Sequence, residues 1–308
     1  MESLVLSLNV VLPLLFLILV GQGVRRLKLC DERALKQMNQ LVFKLFLPCT
    51  LFNNILSTDL KTVLQPQLLI YAAVSVLAGW LIMPRITSDP RKQGVMIMNT
   101  YRSNAVLFGM PIVQLIYGDS QLGVMSMLIA VIVPLFNILS VIVLESFRGG
   151  KARISKLIEG IVTNPLIIAS ALGLLCLFSG VHLWKPIASV IGDMGKVSTP
   201  LALIILGAGF QPERVAENKK ELLASVSARL VWTPLAALGI AVLLGIRGVA
   251  LVSLLAIFAS PNAVSSYSMA EGMGSDSELA SQGLLLSTVF CIPTIFLWIF
   301  CFSQCGLI

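Results

Sequence analysis

The sequence predicts an all-α membrane protein of ten transmembrane helices in two inverted five-helix repeats, with the fourth and ninth helices broken. Three observations carry that expectation: a composition too apolar for water, ten apolar runs of spanning length, and landmarks that recur in order between the halves. Hydrophobic residues make up 57% of the chain, charged residues 12%, and the mean hydropathy is +0.92. Soluble domains carry about a quarter charged residues. In lipid the structural unit is a span of about 20 apolar residues, and ten such units nearly exhaust 308 residues. No stretch between them is long enough for a separate catalytic or receptor domain, so function must reside within the bundle.

Apolar runs bounded by charge, Gly or Pro place the spans near 4–24, 35–57, 67–84, 93–117, 122–146, 159–181, 187–210, 222–245, 249–272 and 280–303. The first run has its positive charges behind it, the reverse of a signal peptide, and is read as a span that stays. Loops after odd-numbered spans carry Arg25, Arg26 and Lys28, then Arg85, Arg91 and Lys92, then Arg148, Lys151, Arg153 and Lys156, then Arg214, Lys219 and Lys220. Loops after even-numbered spans hold only Lys61, Lys185 and Arg247. The positive-inside rule therefore puts the basic loops in the cytoplasm and both termini on the extracytoplasmic side of the cell membrane.

That distribution also explains the net charge of +7 without nucleic acid, which needs clustered basic residues. The six cysteines include no CxxC pair and read as packing residues, and the single His182 rules out a His-cluster metal site of the usual kind. No cofactor is expected. The partners implied are the lipid bilayer and a small solute, with a homodimer allowed for.

Overlaying the halves exposes the repeat. Pro13, Gly21 and Pro48 recur as Pro165, Gly173 and Pro200, each 152 residues on. Asn104-Ala105-Val106 recurs as Asn262-Ala263-Val264 at 158, and Pro134 as Pro293 at 159. The halves are 1–150 and 151–308. Five spans per repeat is an odd number, so the second repeat enters the membrane from the opposite face. Such inverted repeats, with a shared midplane site, are the architecture of secondary transporters.

Spans four and nine are the polar anomalies. Span four holds Asn99, Arg102, Ser103, Asn104, Gly109 and Pro111; span nine holds Ser260, Pro261, Asn262, Ser265 and Ser266. Proline removes a backbone donor and glycine relaxes the chain, so both spans are expected to break near mid-membrane. Freed backbone groups must be buried in protein or line a wet cavity, and half-helix N-termini suit a carboxylate. These eleven residues form the candidate substrate site, with kinked packing helices as the bland alternative. An arginine inside a span costs several kcal/mol unless paired or wet. Asp193, Glu145 and Glu271 all fall towards span ends, so an anionic substrate could supply the partner for Arg102, which could otherwise snorkel or bond to carbonyls exposed by the break. Arg229, Lys44 and Lys196 read as structural residues reaching an interface. Asn137 and the Asn53-Asn54 pair suit either the cavity or interhelical bonds.

Arg102-Ser103-Asn104 with Gly109-Met110-Pro111, Leu41-Val42-Phe43 before Leu47-Pro48, Asn164-Pro165-Leu166-Ile167 and Ser265-Ser266-Tyr267-Ser268-Met269-Ala270-Glu271 resemble the auxin efflux carrier family in order and spacing. The likeness spans essentially the whole chain and is nearest to the bacterial branch similar to malonate and malate permeases, with plant PIN auxin exporters more distant. It implies organic-anion transport and a fold in which the broken fourth and ninth helices cross beside the substrate. Asn104 and Asn262 would then be the crossover polar pair, and Pro111 and Pro261 the crossover prolines. Plant carriers have a large central loop where this chain has about a dozen residues between Arg148 and Glu159, so a small carboxylate suits it better than auxin.

The function expected is a secondary permease or efflux carrier working by alternating access, coupled to protons or sodium. A channel or receptor would leave the repeat unexplained. An intramembrane enzyme would need a nucleophile and base, and Ser198 and Lys196, two apart on a helix, face different directions.

Overall fold

A computed structural model of the protein describes residues 2–56, 65–82, 86–118, 121–148, 158–160, 162–181 and 183–308, the side chains of 2–11 and 212 aside. Lys61, Arg85, Lys151, Arg153, Lys156 and His182 lie outside the described residues, as does the junction between the proposed halves. Among the described residues every regular element is helical. The α-helices are α1 Glu2–Arg26, α2 Glu32–Leu41, α3 Leu47–Leu56, α4 Pro66–Ile82, α5 Pro90–Tyr101, α6 Met110–Tyr117 and α7 Leu122–Ser146. They continue as α8 Pro165–Ser179, α9 Lys185–Gly209, α10 Lys219–Ser227, α11 Thr233–Leu243, α12 Gly248–Phe258, α13 Val264–Gly272 and α14 Ser277–Gln304.

Among the described residues four helices are long and apolar enough to cross a membrane: α7, α9, the run Glu213–Leu243 containing α10 and α11, and α14. Shorter apolar helices, Pro66–Ile82, Ala105–Tyr117, Pro165–Ser179 and Gly248–Phe258, complete the bundle. Leu81 and Phe178 on the shorter helices and Leu243 at the end of the run Glu213–Leu243 are all largely exposed, as expected where the solvent is hydrocarbon. The run expected at 222–245 starts earlier, at Glu213. Lys219, Lys220 and Glu221 fall inside that helix, and a hydropathy boundary stops at such charges even where the backbone does not.

The described residues hold three wide π turns: Val42–Phe46 between α2 and α3 and Ala228–Trp232 between α10 and α11, each within continuous helix, and Ala105–Gly109, which leads into α6. Each is followed two residues later by a proline, Pro48, Pro111 and Pro234. Proline has no N–H for the carbonyl four residues back and its ring crowds that carbonyl, and a widened turn relieves both. Proline alone does not dictate the turn, because Pro13, Pro134, Pro200 and Pro293 sit inside unbroken helices.

Helices α1 and α9 pack backbone to backbone. A side chain on Gly21 would strike the carbonyl of Ile204, and one on Gly207 the carbonyl of Ile18, so both positions demand glycine. Gln22 ties the same end by donating to the carbonyl of Gly207 at 2.6 Å. Gly173, 152 residues after Gly21, packs in turn on Ile55, 152 residues before Gly207, where a added carbon would lie 3.2 Å away. The same pair of positions therefore meets twice in the molecule.

Candidate functional site

The fourth apolar run opens with Asp89, whose side chain accepts from the Arg91 amide at 2.9 Å, and with Pro90 in the first turn. The helix ends at Tyr101, and Arg102 is extended, with φ −82° and ψ 119°. In the ninth run α12 ends at Phe258 and α13 starts at Val264, leaving Ser260-Pro261-Asn262 between them. The two breaks satisfy one another. Ser103 and Asn262 form an antiparallel bridge, and the Asn104 amide donates to the Pro261 carbonyl at 2.9 Å. Asn104 then caps the turn that follows, accepting from the Leu107 amide at 3.4 Å.

The break in the fourth run thus lies at residues 102–104, upstream of the Gly109-Pro111 pair expected to cause it. That pair instead yields the π turn. Gly109 packs beneath the Met125 methyl group, which would have to move aside for a side chain there.

Crossing sorts the helix ends by polarity. The first turns after each break, Ala105 to Leu107 and Ala263 to Ser265, line a cavity of about 450 Å³ together with Arg102, Ser103 and Asn104. Its walls come from α1, α3, α7 and the middle of α9, and include Asn53, Asn54 and Lys196. Helix N-termini present unpaired amides and a positive dipole end. At the base, Arg102 is 3% exposed. Its Nη1 donates to Ser140 Oγ at 2.9 Å and to the Phe136 carbonyl at 3.3 Å. Its Nη2 donates to Asn137 Oδ1 at 2.8 Å and to Ser265 Oγ at 2.7 Å. Ser140 gives its only hydroxyl proton to the Phe136 carbonyl at 2.7 Å, so the Tyr101 hydroxyl, 2.9 Å away, donates to it. Arg102 Nε, Ser103 Oγ and Asn137 Nδ2 are buried without a hydrogen-bond partner.

Among the described residues no carboxylate pairs with Arg102. Asp193 is taken by Lys196 at 2.8 Å, Glu145 by Arg148 at 3.4 Å and Glu278 by Arg214 at 2.8 Å.

A second cavity, of about 270 Å³, opens at the opposite ends of the same helices, lined by Glu32 and Lys36 of α2, Arg214, Tyr267, Glu271 and Glu278. There Arg214 Nη1 donates to Glu278 Oε2 at 2.8 Å. Gly272 packed on the Phe43 ring, and the Asn39 amide donating to the Ser268 carbonyl at 3.4 Å, lie beside it.

A family model described as a membrane transport protein matches residues 6–160 and 151–299. Two archaeal proteins match over nearly their whole length. An uncharacterised transporter of Methanocaldococcus jannaschii is 22% identical over 306 residues, covering 95% of this chain and 98% of that one. An uncharacterised transporter of Methanothermobacter thermautotrophicus is 24% identical over 301 residues, covering 95% and 97%. The chain belongs to the membrane transport protein family. This is the auxin efflux carrier family that its motifs resemble, and the chain is a multi-pass membrane transport protein.

Within this membrane transporter the eleven expected site residues part company. Arg102, Ser103, Asn104 and Ser265 line the cavity. Ser260 and Pro261 serve the crossing through their carbonyls, and Ser260 Oγ also bonds to the Ala256 carbonyl. Gly109 and Pro111 belong to the π turn and the start of α6. Asn99, Asn262 and Ser266 are fully buried and do not line the cavity. The first two converge at Gly283, where an added carbon would lie 2.5 Å from Asn99 Nδ2 and 3.6 Å from Asn262 Nδ2.

Two other readings are corrected. Arg102 bonds mainly to side chains, not to carbonyls freed by the break. Arg229 does not reach an interface: it is 0% exposed and takes those carbonyls itself. Its place in the fold was invisible because nothing in the sequence joins residue 229 to the two breaks. Asn137 proves to be an interhelical partner, whereas Asn53, Asn54 and Lys196 line the cavity.

Proposed function

We propose that the protein is a secondary transporter for a small organic anion, binding it in the Arg102 cavity and exposing it alternately to the two sides of the membrane. The observation that carries this reading is a buried guanidinium, flanked by two half-helix N-termini, whose acceptors are neutral. A carboxylate forms stronger, charge-assisted bonds to arginine than serine or asparagine does, so an incoming anion competes favourably for those donors. The cavity falls in the ordinary range for small-molecule sites, about 300–1,000 Å³.

The reading includes ten spans in two inverted halves, 1–150 and 151–308, set in the cell membrane with both termini extracytoplasmic. The recurring Gly21–Gly207 and Gly173–Ile55 contacts support the repeat. Cavities at opposite ends of the same helices support alternating access. On this topology the Arg102 cavity opens outward and the smaller one inward. The reading assigns no catalytic role and needs no cofactor, the driving gradient being of protons or sodium.

The test is uptake of labelled mono- and dicarboxylates into proteoliposomes under imposed proton or sodium gradients, comparing the parent with Arg102→Ala. Saturable flux of one acid, lost in the variant while it stays folded, is the expected result. Non-saturable flux would favour a channel, and flux unchanged in Arg102→Ala would remove the cavity from the pathway.

A further inference from the structure

Arg229 projects from the π turn between α10 and α11 into the point where the C-terminal ends of α5 and α12 meet. The carbonyls there have lost their helical partners to the two breaks, and helix C-termini carry partial negative charge. Arg229 Nε donates to the Ser260 carbonyl at 2.9 Å. Its Nη1 donates to the carbonyls of Thr100 at 3.3 Å and Tyr101 at 3.1 Å. Its Nη2 donates to those of Ile257 at 2.7 Å and Phe258 at 2.9 Å. A guanidinium has five N–H groups, and here five carbonyls, four from the ends of α5 and α12 and one from Ser260 in the break, take one each.

Such a nest of convergent backbone oxygens, sealed from solvent and at the negative ends of two helices, is what a desolvated monovalent cation requires. The chain supplies that cation itself. We infer that Arg229 is a tethered cation that fixes the crossing of the broken helices and occupies the place where a free metal cation would bind, making it the positioning residue for the Arg102 cavity on the other side of the crossing. The consequence for transport rests on the proposed function: sodium is not the coupling ion at the crossing. The occupancy of the carbonyl nest does not rest on it.

The experiment is thermal unfolding of the full-length protein in detergent, in sodium, choline or guanidinium chloride at equal, low, non-denaturing concentration. The parent is expected to melt at the same temperature in all three. Arg229→Ser is expected to melt several degrees lower in choline and to recover part of the loss in guanidinium, because the free ion refills the nest. If Arg229→Ser does not fold, Arg229→Lys and Arg229→Gln decide. Lysine keeps the charge but has only three donors, and is expected to melt between glutamine and the parent. Three results would overturn the inference: a parent stabilised by sodium over choline, a folded serine variant that guanidinium does not restore, or lysine and glutamine variants of equal stability. All are read without a transport assay, so a failure to find a carboxylate substrate would leave this test standing.

Discussion

The two buried arginines lie near the same crossing, yet they are held in opposite ways. Arg229 meets backbone carbonyls with all five donors, whereas Arg102 meets mostly side chains with four and leaves Nε unpaired. Backbone acceptors cannot be exchanged without undoing the helix ends that present them. Hydroxyl and amide acceptors can rotate away at little cost. The comparison separates an arginine that holds the fold from one that can give up its bonds to a ligand, and the separation follows from the polarity of the helix ends each one faces.

The largest expected effect breaks the comparison on stability. Arg229→Gln strands several buried carbonyls and should cost about 3 kcal/mol or more, seen as a sharp fall in folded yield and melting temperature. Arg102→Ala should do the reverse, reducing carboxylate uptake about tenfold to hundredfold while melting much closer to the parent. If both arginines alter stability equally and neither alters uptake, the distinction fails. Gly283→Ala, pressed against Asn99, should destabilise by about 1–3 kcal/mol, which chemical denaturation would measure. Ser265→Ala removes one neutral acceptor of Arg102 and should change apparent substrate affinity by no more than about fivefold. Smallest is Lys196→Gln, whose exposed pair with Asp193 is screened; it should shift affinity by no more than about twofold, and less again at high salt.

Much of this was legible in the sequence, because hydrocarbon imposes length and apolarity on each helix it surrounds. The run predicted at 122–146 is α7 to the residue, and the fourth and ninth runs do break. The position of the first break was not legible. Gly109 and Pro111 are the local signals, but the chain opens at residues 102–104, where Ser103 and Asn104 find backbone partners on a segment some 158 residues away. Asn99 and Asn262 carried the polarity expected of a binding site, and only packing decides that they turn towards Gly283 and not to the cavity. Arg229 was hidden for the same reason, since its five partners come from the fourth and ninth runs, far from it in the chain.

The π turn at Val42–Phe46 has a mechanical consequence. Below it, Glu32 to Asn39 line the smaller cavity; above it, Leu47 to Asn54 line the larger one. A widened turn with an imperfect hydrogen-bond ladder is the natural fulcrum of a helix. The upper lever can therefore tilt while the lower stays tied to α13, where the Asn39 side-chain amide donates to the Ser268 carbonyl, so that one vestibule can widen without the other being pried apart along the same rod.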